Sequence, residues 1–213
     1  MNLMIMDLIE NVGIIAFAIS GVVVAARKDM DLFGINLLAL VTATGGGLIR
    51  DLIINRTPPA MFVNPSYTII TLITANLAFL AMYIKRPIPK GITPIYDKLL
   101  FWLDTLGLAA FTVDGTFTGI HSGFGSNLFL VAFLGIVTGI GGGLIRDILA
   151  NVVPAVLIKH VYAIACIAGA IVTVLLWKYT ANEVISTIAG FLTIVILRFF
   201  AMHFKWNLPT VHL

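Results

Sequence analysis

The stretch Thr44-Gly45-Gly46-Gly47-Leu48-Ile49-Arg50-Asp51 decides how this chain is read, because it returns as Ile140-Gly141-Gly142-Gly143-Leu144-Ile145-Arg146-Asp147. Both copies lie inside apolar runs long enough to cross a bilayer. A glycine costs a helix interior ~1 kcal/mol relative to alanine. A charge at the centre of a membrane helix costs ~2.5–3.5 kcal/mol on the insertion scale. A membrane protein that keeps three glycines and an Arg-Asp pair in two places is expected to move something polar across the membrane.

Composition supports the membrane reading. The chain has 213 residues, 60% hydrophobic and 11% charged, with a mean hydropathy of +1.05. Soluble domains carry about a quarter charged residues, so too little polar surface exists here to coat a water-soluble globule. The expected class is an all-α polytopic membrane protein. Its formal charge of +3 is therefore no nucleic-acid signal, and no nucleic-acid partner is expected. The single cysteine, Cys166, excludes an intramolecular disulfide and a multi-cysteine metal site; it reads as packing in an apolar helix. Met1-Asn2-Leu3-Met4-Ile5-Met6-Asp7 has no basic n-region and no small-residue cleavage site, so the first apolar run predicts an uncleaved membrane helix.

Apolar segments fall near residues 7–26, 32–54, 63–84, 99–120, 127–150, 157–178 and 184–203. Polar breaks separate them at Arg27-Lys28-Asp29, Thr57-Pro58-Pro59, Lys85-Arg86-Pro87 through Lys98, His121-Ser122-Gly123, Val153-Pro154 and Thr180-Ala181-Asn182-Glu183. One membrane domain, 1–213, accounts for the chain. An odd number of spans puts the termini on opposite sides. Arg27, Lys28, Lys85, Arg86, Lys90, Lys98, Lys159 and Lys205 fall on one side, against Arg56 and Lys178 on the other. Because basic loops stay in the cytoplasm, the N-terminus is expected outside and the C-terminus inside.

The duplication extends beyond the glycines. Glu10-Asn11-Val12-Gly13 matches Asp104-Thr105-Leu106-Gly107, and Phe17-Ala18-Ile19-Ser20-Gly21 matches Phe111-Thr112-Val113-Asp114-Gly115. Asn55 matches Asn151, and Pro58 matches Pro154. Spans one to three (about 1–86) thus repeat as spans four to six (about 97–180), and span seven (about 184–203) is unpaired. Three helices per repeat force the copies into opposite orientations, the inverted-repeat design of many transporters.

The triplets near the bilayer centre favour a local break or kink. Unwound carbonyls, with the hydroxyls of Thr42, Thr44 and Thr138, would suit a small cation, and freed amides an anion. The plainer alternative is that small residues only let two helices cross closely. Arg50 and Asp51, being sequence neighbours, point about 100° apart on a helix and need other partners. The repeat suggests symmetric Glu10–Arg50 and Asp104–Arg146 pairs near opposite mouths. Asp114 falls in the middle of span four, where a carboxylate either lines a wet path or sits protonated and hydrogen-bonded. Its counterpart in span one is Ser20. His121, His160 and His203 read as interfacial, Trp102, Trp177 and Trp206 as an aromatic belt, and Arg198 as snorkelling to the interface. No site for a resident metal or cofactor and no catalytic motif is found.

Seven spans built as two inverted three-helix repeats plus one, with a glycine triplet in spans two and five, resemble the prokaryotic TRIC channels, relatives of the animal trimeric intracellular cation channels. The duplicated Gly-Gly-Gly-Leu-Ile-Arg-Asp also resembles bacterial proteins grouped under a glycine-transporter label. The resemblance implies a homotrimer with an ion pathway inside each protomer, around kinked second and fifth helices, passing potassium and sodium. Carried over by position, the pathway and kink residues are Gly45, Gly46, Gly47, Gly141, Gly142 and Gly143, flanked by Arg50, Asp51, Arg146 and Asp147. The implied partners are membrane lipids, with bound lipid as the one non-protein component besides permeant ions. The chain departs from the animal members in its Arg-Asp after the glycines and in lacking an extended charged C-terminal tail. A passive monovalent cation channel is the leading expectation, and a secondary transporter for glycine or another small zwitterion the alternative.

Overall fold

The computed structural model describes residues 2–84, 93–158 and 161–206, without the side chains of 2–4 and 93–95. Expectations for Lys85, Arg86, Lys90, Lys159 and His160 lie outside that set. The long helices are α1 (Asn2–Ala26), α2 (Leu32–Ile53), α4 (Ser66–Ile84), α5 (Thr93–Gly119), α6 (Leu128–Leu149), α8 (Tyr162–Thr180) and α9 (Glu183–His203). Two four-residue helices, α3 (Ala60–Val63) and α7 (Ala155–Ile158), precede α4 and α8. Seven helices among the described residues are long and apolar enough to span a membrane. Each half therefore runs long, long, short, long, and α9 follows.

The local chemistry of the halves matches. The Asp31 carboxylate accepts from the Gly34 amide at 2.8 Å to start α2, and the Asn127 side chain accepts from Leu130 at 3.0 Å to start α6. At the far ends Asn55 and Asn151 take φ of 56° and 51°, left-handed values that asparagine tolerates better than most residues. That is the reason for the matched asparagines. Several boundaries differ from expectation. The third and sixth spans start at Ser66 and Tyr162, later than 63 and 157, because α3 and α7 interrupt the chain first. The His121-Ser122-Gly123 break is a π-helical turn (Ile120–Phe124) that prolongs α5 until Gly123, at φ 91°, ends it.

Helices α1, α2, α5 and α6 form the centre, α4 flanks α1 and α2, and α8 and α9 pack on each other and on α5. Large apolar side chains such as Ile69, Ile73, Leu77, Ile171 and Leu192 point outward, while Ser20, Thr42, Asp104, Arg146 and Asp147 are buried. This inversion of the soluble pattern suits hydrocarbon surroundings, where polar groups must be satisfied internally.

The expected helix break is absent. α2 and α6 remain α-helical through both glycine triplets, so the backbone there exposes no freed carbonyls or amides. The glycines serve the crossing instead. A Cβ at Gly46 would land on the Thr138 carbonyl oxygen, and one at Gly142 on the Thr42 carbonyl oxygen. A Cβ at Gly141 would lie 2.9 Å from the Gly46 Cα, and one at Gly45 2.9 Å from the Ile145 Cδ1. Two backbones in direct contact offset the poor helix propensity of glycine through close packing.

Candidate functional site

Each triplet is followed, one turn on, by an arginine anchored in the protein. Arg146 is 1% exposed and is held by Asp104 of α5 through Nη1 to Oδ1 at 2.5 Å and Nη2 to Oδ2 at 3.2 Å. Its Nη1 also donates to the Ser20 hydroxyl, which in turn donates to Asp104 at 2.8 Å. The expected Asp104–Arg146 pair forms.

The other half differs. Arg50 pairs with Asp114 of the opposite repeat (Nη1 to Oδ2, 2.8 Å), and not with Glu10. Ser20 and Asp114 are repeat counterparts, as are Glu10 and Asp104. Arg146 thus meets Asp104 from its own half and Ser20 from the other, whereas Arg50 meets only the other half's Asp114 of the two counterpart positions, so the carboxylate that forms the ion pair has changed places. Aligning the halves shows the exchange of Ser20 for Asp114; that α5 crosses to α2 can be seen only in three dimensions.

The neighbouring aspartates also depart from expectation. Arg50 Nε donates to Asp51 Oδ1 at 2.9 Å, and Arg146 Nε to Asp147 Oδ1 at 2.8 Å. The 100° offset is overcome by the length of the arginine side chain, which folds back over the third glycine: its Nη2 lies 3.6 Å from a Cβ built at Gly47 and 3.8 Å from one at Gly143. The second oxygen of each aspartate caps the following short helix. Asp51 Oδ2 accepts from Ala60 N at 2.7 Å, and Asp147 Oδ2 from Ala155 N at 2.8 Å. The motif therefore ties the end of α2 or α6 to the start of α3 or α7.

Two cavities flank the crossing. The first, about 40 Å³, is lined by Glu10, Tyr67, Thr44, Arg50, Asp114 and Thr138 among others, and lies toward the face where α1 begins. It exceeds the ~10–15 Å³ one water needs. The second, about 440 Å³, is lined by Arg27, Asp97, Asp104, Arg146, Tyr162 and Arg198 among others, toward the face where α1 ends. Thr42, Thr44 and Thr138 each donate to the carbonyl four residues earlier, at 2.5, 2.8 and 2.6 Å. Thr44 and Thr138 line the first cavity and Thr42 neither.

Arg198 does not snorkel. It is 3% exposed, with its guanidinium carbon 4.6 Å from the Phe101 ring centroid and 4.4 Å from that of Tyr162. Its Nε donates to Thr105 Oγ1 at 3.2 Å, and its Nη1 has no hydrogen-bond partner among the described residues. Stacking between two ring faces holds the cation inside, by attraction to their negative faces; sequence position near a helix end cannot reveal it. His121, an expected interfacial residue, pairs with Glu183 at 2.8 Å.

Seven apolar spans around buried arginine–carboxylate clusters define a multi-pass membrane protein of all-α, inverted-repeat architecture. The family described as Glycine transporter matches residues 7–83 and again 101–178, and the chain belongs to it. Relatives include the inner membrane protein YadS of Escherichia coli K12, 34% identical over 204 residues (95% of this chain, 94% of that one). The Bacillus subtilis membrane protein YvgT is 34% identical over 203 residues, covering 95% of each chain. The fold is that of the prokaryotic TRIC channels. A solved TRIC cation channel aligns with a TM-score of 0.83 at 35% identity, covering 97% of both chains. The TRIC trimeric intracellular cation channel orthologue from Rhodobacter sphaeroides aligns with a TM-score of 0.85 at 30% identity, covering 95% of this chain and 99% of that one.

Proposed function

We propose that this chain is a monovalent cation channel, assembled as a homotrimer, with a path inside each protomer that joins the two cavities across the α2–α6 crossing. The observation that carries the reading is the pair of charged clusters facing separate cavities at opposite ends of one four-helix centre. In the first cavity Asp51 and Asp114 outnumber Arg50, so its field favours cations. The second is a wider vestibule. The glycines bring α2 and α6 together, and Arg50, Asp51, Arg146 and Asp147 tie the mouths. Potassium or sodium is the permeant species and no cofactor takes part. Arg27, Lys28, Lys98 and Lys205 support a cytoplasmic placement for the face where α1 ends, with the N-terminus outside and the protein in the inner membrane. The solved channels at 0.83 and 0.85 TM-score support both conduction and the trimer.

The test is a planar-bilayer recording under asymmetric potassium and sodium, wild type against Asp114→Asn and Arg50→Ala. Discrete potassium currents without any amino acid present, reduced by Asp114→Asn, are the expected result. A second reading, carriage of a small zwitterion, draws on the family's description and on cation and carboxylates converging in one small cavity. Saturable, gradient-coupled glycine uptake without unitary currents would establish it and end the channel reading.

A further inference from the structure

Among the described residues, the two cavities have no lining residue in common. Along α1 the charged clusters are marked by Glu10 and Ser20, and along α5 by Asp104 and Asp114. Ten residues of helix separate them in each case, about 15 Å at 1.5 Å per residue. That interval holds a buried apolar cluster of Ile14, Phe17, Ala43 and Phe111. Phe17 and Phe111 are repeat counterparts, with ring centroids 5.2 Å apart in edge-to-face contact.

Their seating is reciprocal. A Cβ at Gly107 of α5 would overlap the Phe17 ring, and one at Gly13 of α1 would lie 3.1 Å from the Phe111 ring. Gly13 and Gly107 are themselves counterparts, so each ring rests on the other half's glycine. Phe17 also reaches the crossing, 3.5 Å from a Cβ built at Gly142. Between the clusters, among the described residues, an ion would meet two aromatic rings and their apolar neighbours. The Thr42 and Thr138 hydroxyls are drawn back against their own helices by donating to the Leu38 and Leu134 carbonyls. A constriction of this kind closes by excluding water, since the two rings and their apolar neighbours offer no oxygen to replace an ion's hydration shell.

We infer that the Phe17–Phe111 pair is the gate separating the two cavities, a two-ring plug whose displacement opens the path. The inference rests on the proposed path between the cavities, and its test reads accessibility as well as current.

Leu100 lines the second cavity. Leu100→Cys in a Cys166→Ala background gives a thiol beyond the plug. In proteoliposomes, an impermeant maleimide first blocks molecules whose second cavity faces the bath. Silver ion, a thiol-reactive monovalent cation of about potassium's size, is then added to the bath, and silver-protected thiols are counted after solubilisation. Silver should react at least tenfold faster when Phe17→Ala and Phe111→Ala are combined, with a matching rise in potassium leak. Should that variant not fold, Phe111→Gln, polar and of similar reach, wets the same layer and should give the same direction. An unchanged silver rate in a variant that elutes like wild type overturns the gate. So does a rise in current without a rise in silver reaction, because ions would then bypass the rings. A silver rate controlled by the rings with no current in any variant ends the channel reading while the plug stands.

Discussion

Removing Asp104 should cost far more than removing Asp114, although each is the carboxylate paired with a repeated arginine. Arg146 and Asp104 have side chains 1% and 5% exposed, whereas Asp114 is 19% exposed and opens on the first cavity. Asp104→Asn leaves a buried guanidinium with Asp147 as its one carboxylate, a loss near the low end of the ~3–5 kcal/mol for breaking a buried pair. Asp114→Asn leaves Arg50 with Asp51, beside a cavity that admits water and faces Glu10; about 1 kcal/mol is expected for a pair so placed. The difference of ~2 kcal/mol is roughly thirtyfold in an unfolding equilibrium. Titration of dodecylmaltoside micelles with sodium dodecyl sulfate, followed by tryptophan fluorescence, reads it. The exchange of carboxylates between halves supplies a rescue. Ser20→Asp added to Asp104→Asn gives Arg146 the arrangement Arg50 has with Asp114, and should restore at least half of the lost stability. Equal losses for Asp104→Asn and Asp114→Asn, or no recovery from Ser20→Asp, would refute the reasoning.

Three further outcomes are expected. Gly46→Ala should destabilise by ~1–3 kcal/mol through overpacking on the Thr138 carbonyl; Gly47→Ala, whose nearest contact is 3.6 Å, should be neutral or stabilising by up to ~1 kcal/mol of helix propensity. The same titration compares them. Asp51→Ala frees the Ala60 amide and also removes the buried carboxylate held by Arg50 Nε, so a loss of ~3–5 kcal/mol is expected; faster deuterium uptake across residues 56–64 is the readout. Arg198→Met removes a buried cation with one unpartnered nitrogen and keeps an apolar fill between Phe101 and Tyr162, so stability should stay within ~1 kcal/mol of wild type, measured by thermal unfolding in detergent.

Apolar run length and the doubled phrase make the seven spans legible, because a bilayer imposes both length and hydropathy on every crossing segment. Asp104–Arg146 is legible too, since both residues belong to one repeat and aligning the halves places them at the same mouth. The Arg50–Asp114 pair is not, because it crosses between halves, and repeat alignment carries no information on which helix of one half faces which of the other. Glycine propensity misleads for a related reason: it describes an isolated helix, while Gly46 and Gly142 face a second backbone that rewards the missing side chain. Arg198 escapes because a position near a helix end suggests an exit to the interface, and two aromatic rings from α5 and α8 supply another resting place.

The α2–α6 crossing is a seam of main chain on main chain. Such a joint has no rotamers to change, so it cannot loosen one side chain at a time. Movement there takes the form of whole rods sliding or rolling on each other. Arg50 and Arg146 sit one turn beyond the contact points Gly46 and Gly142, and each is tied onward through its aspartate to the next short helix. Both mouths are thereby joined, through one rod each, to the same backbone seam.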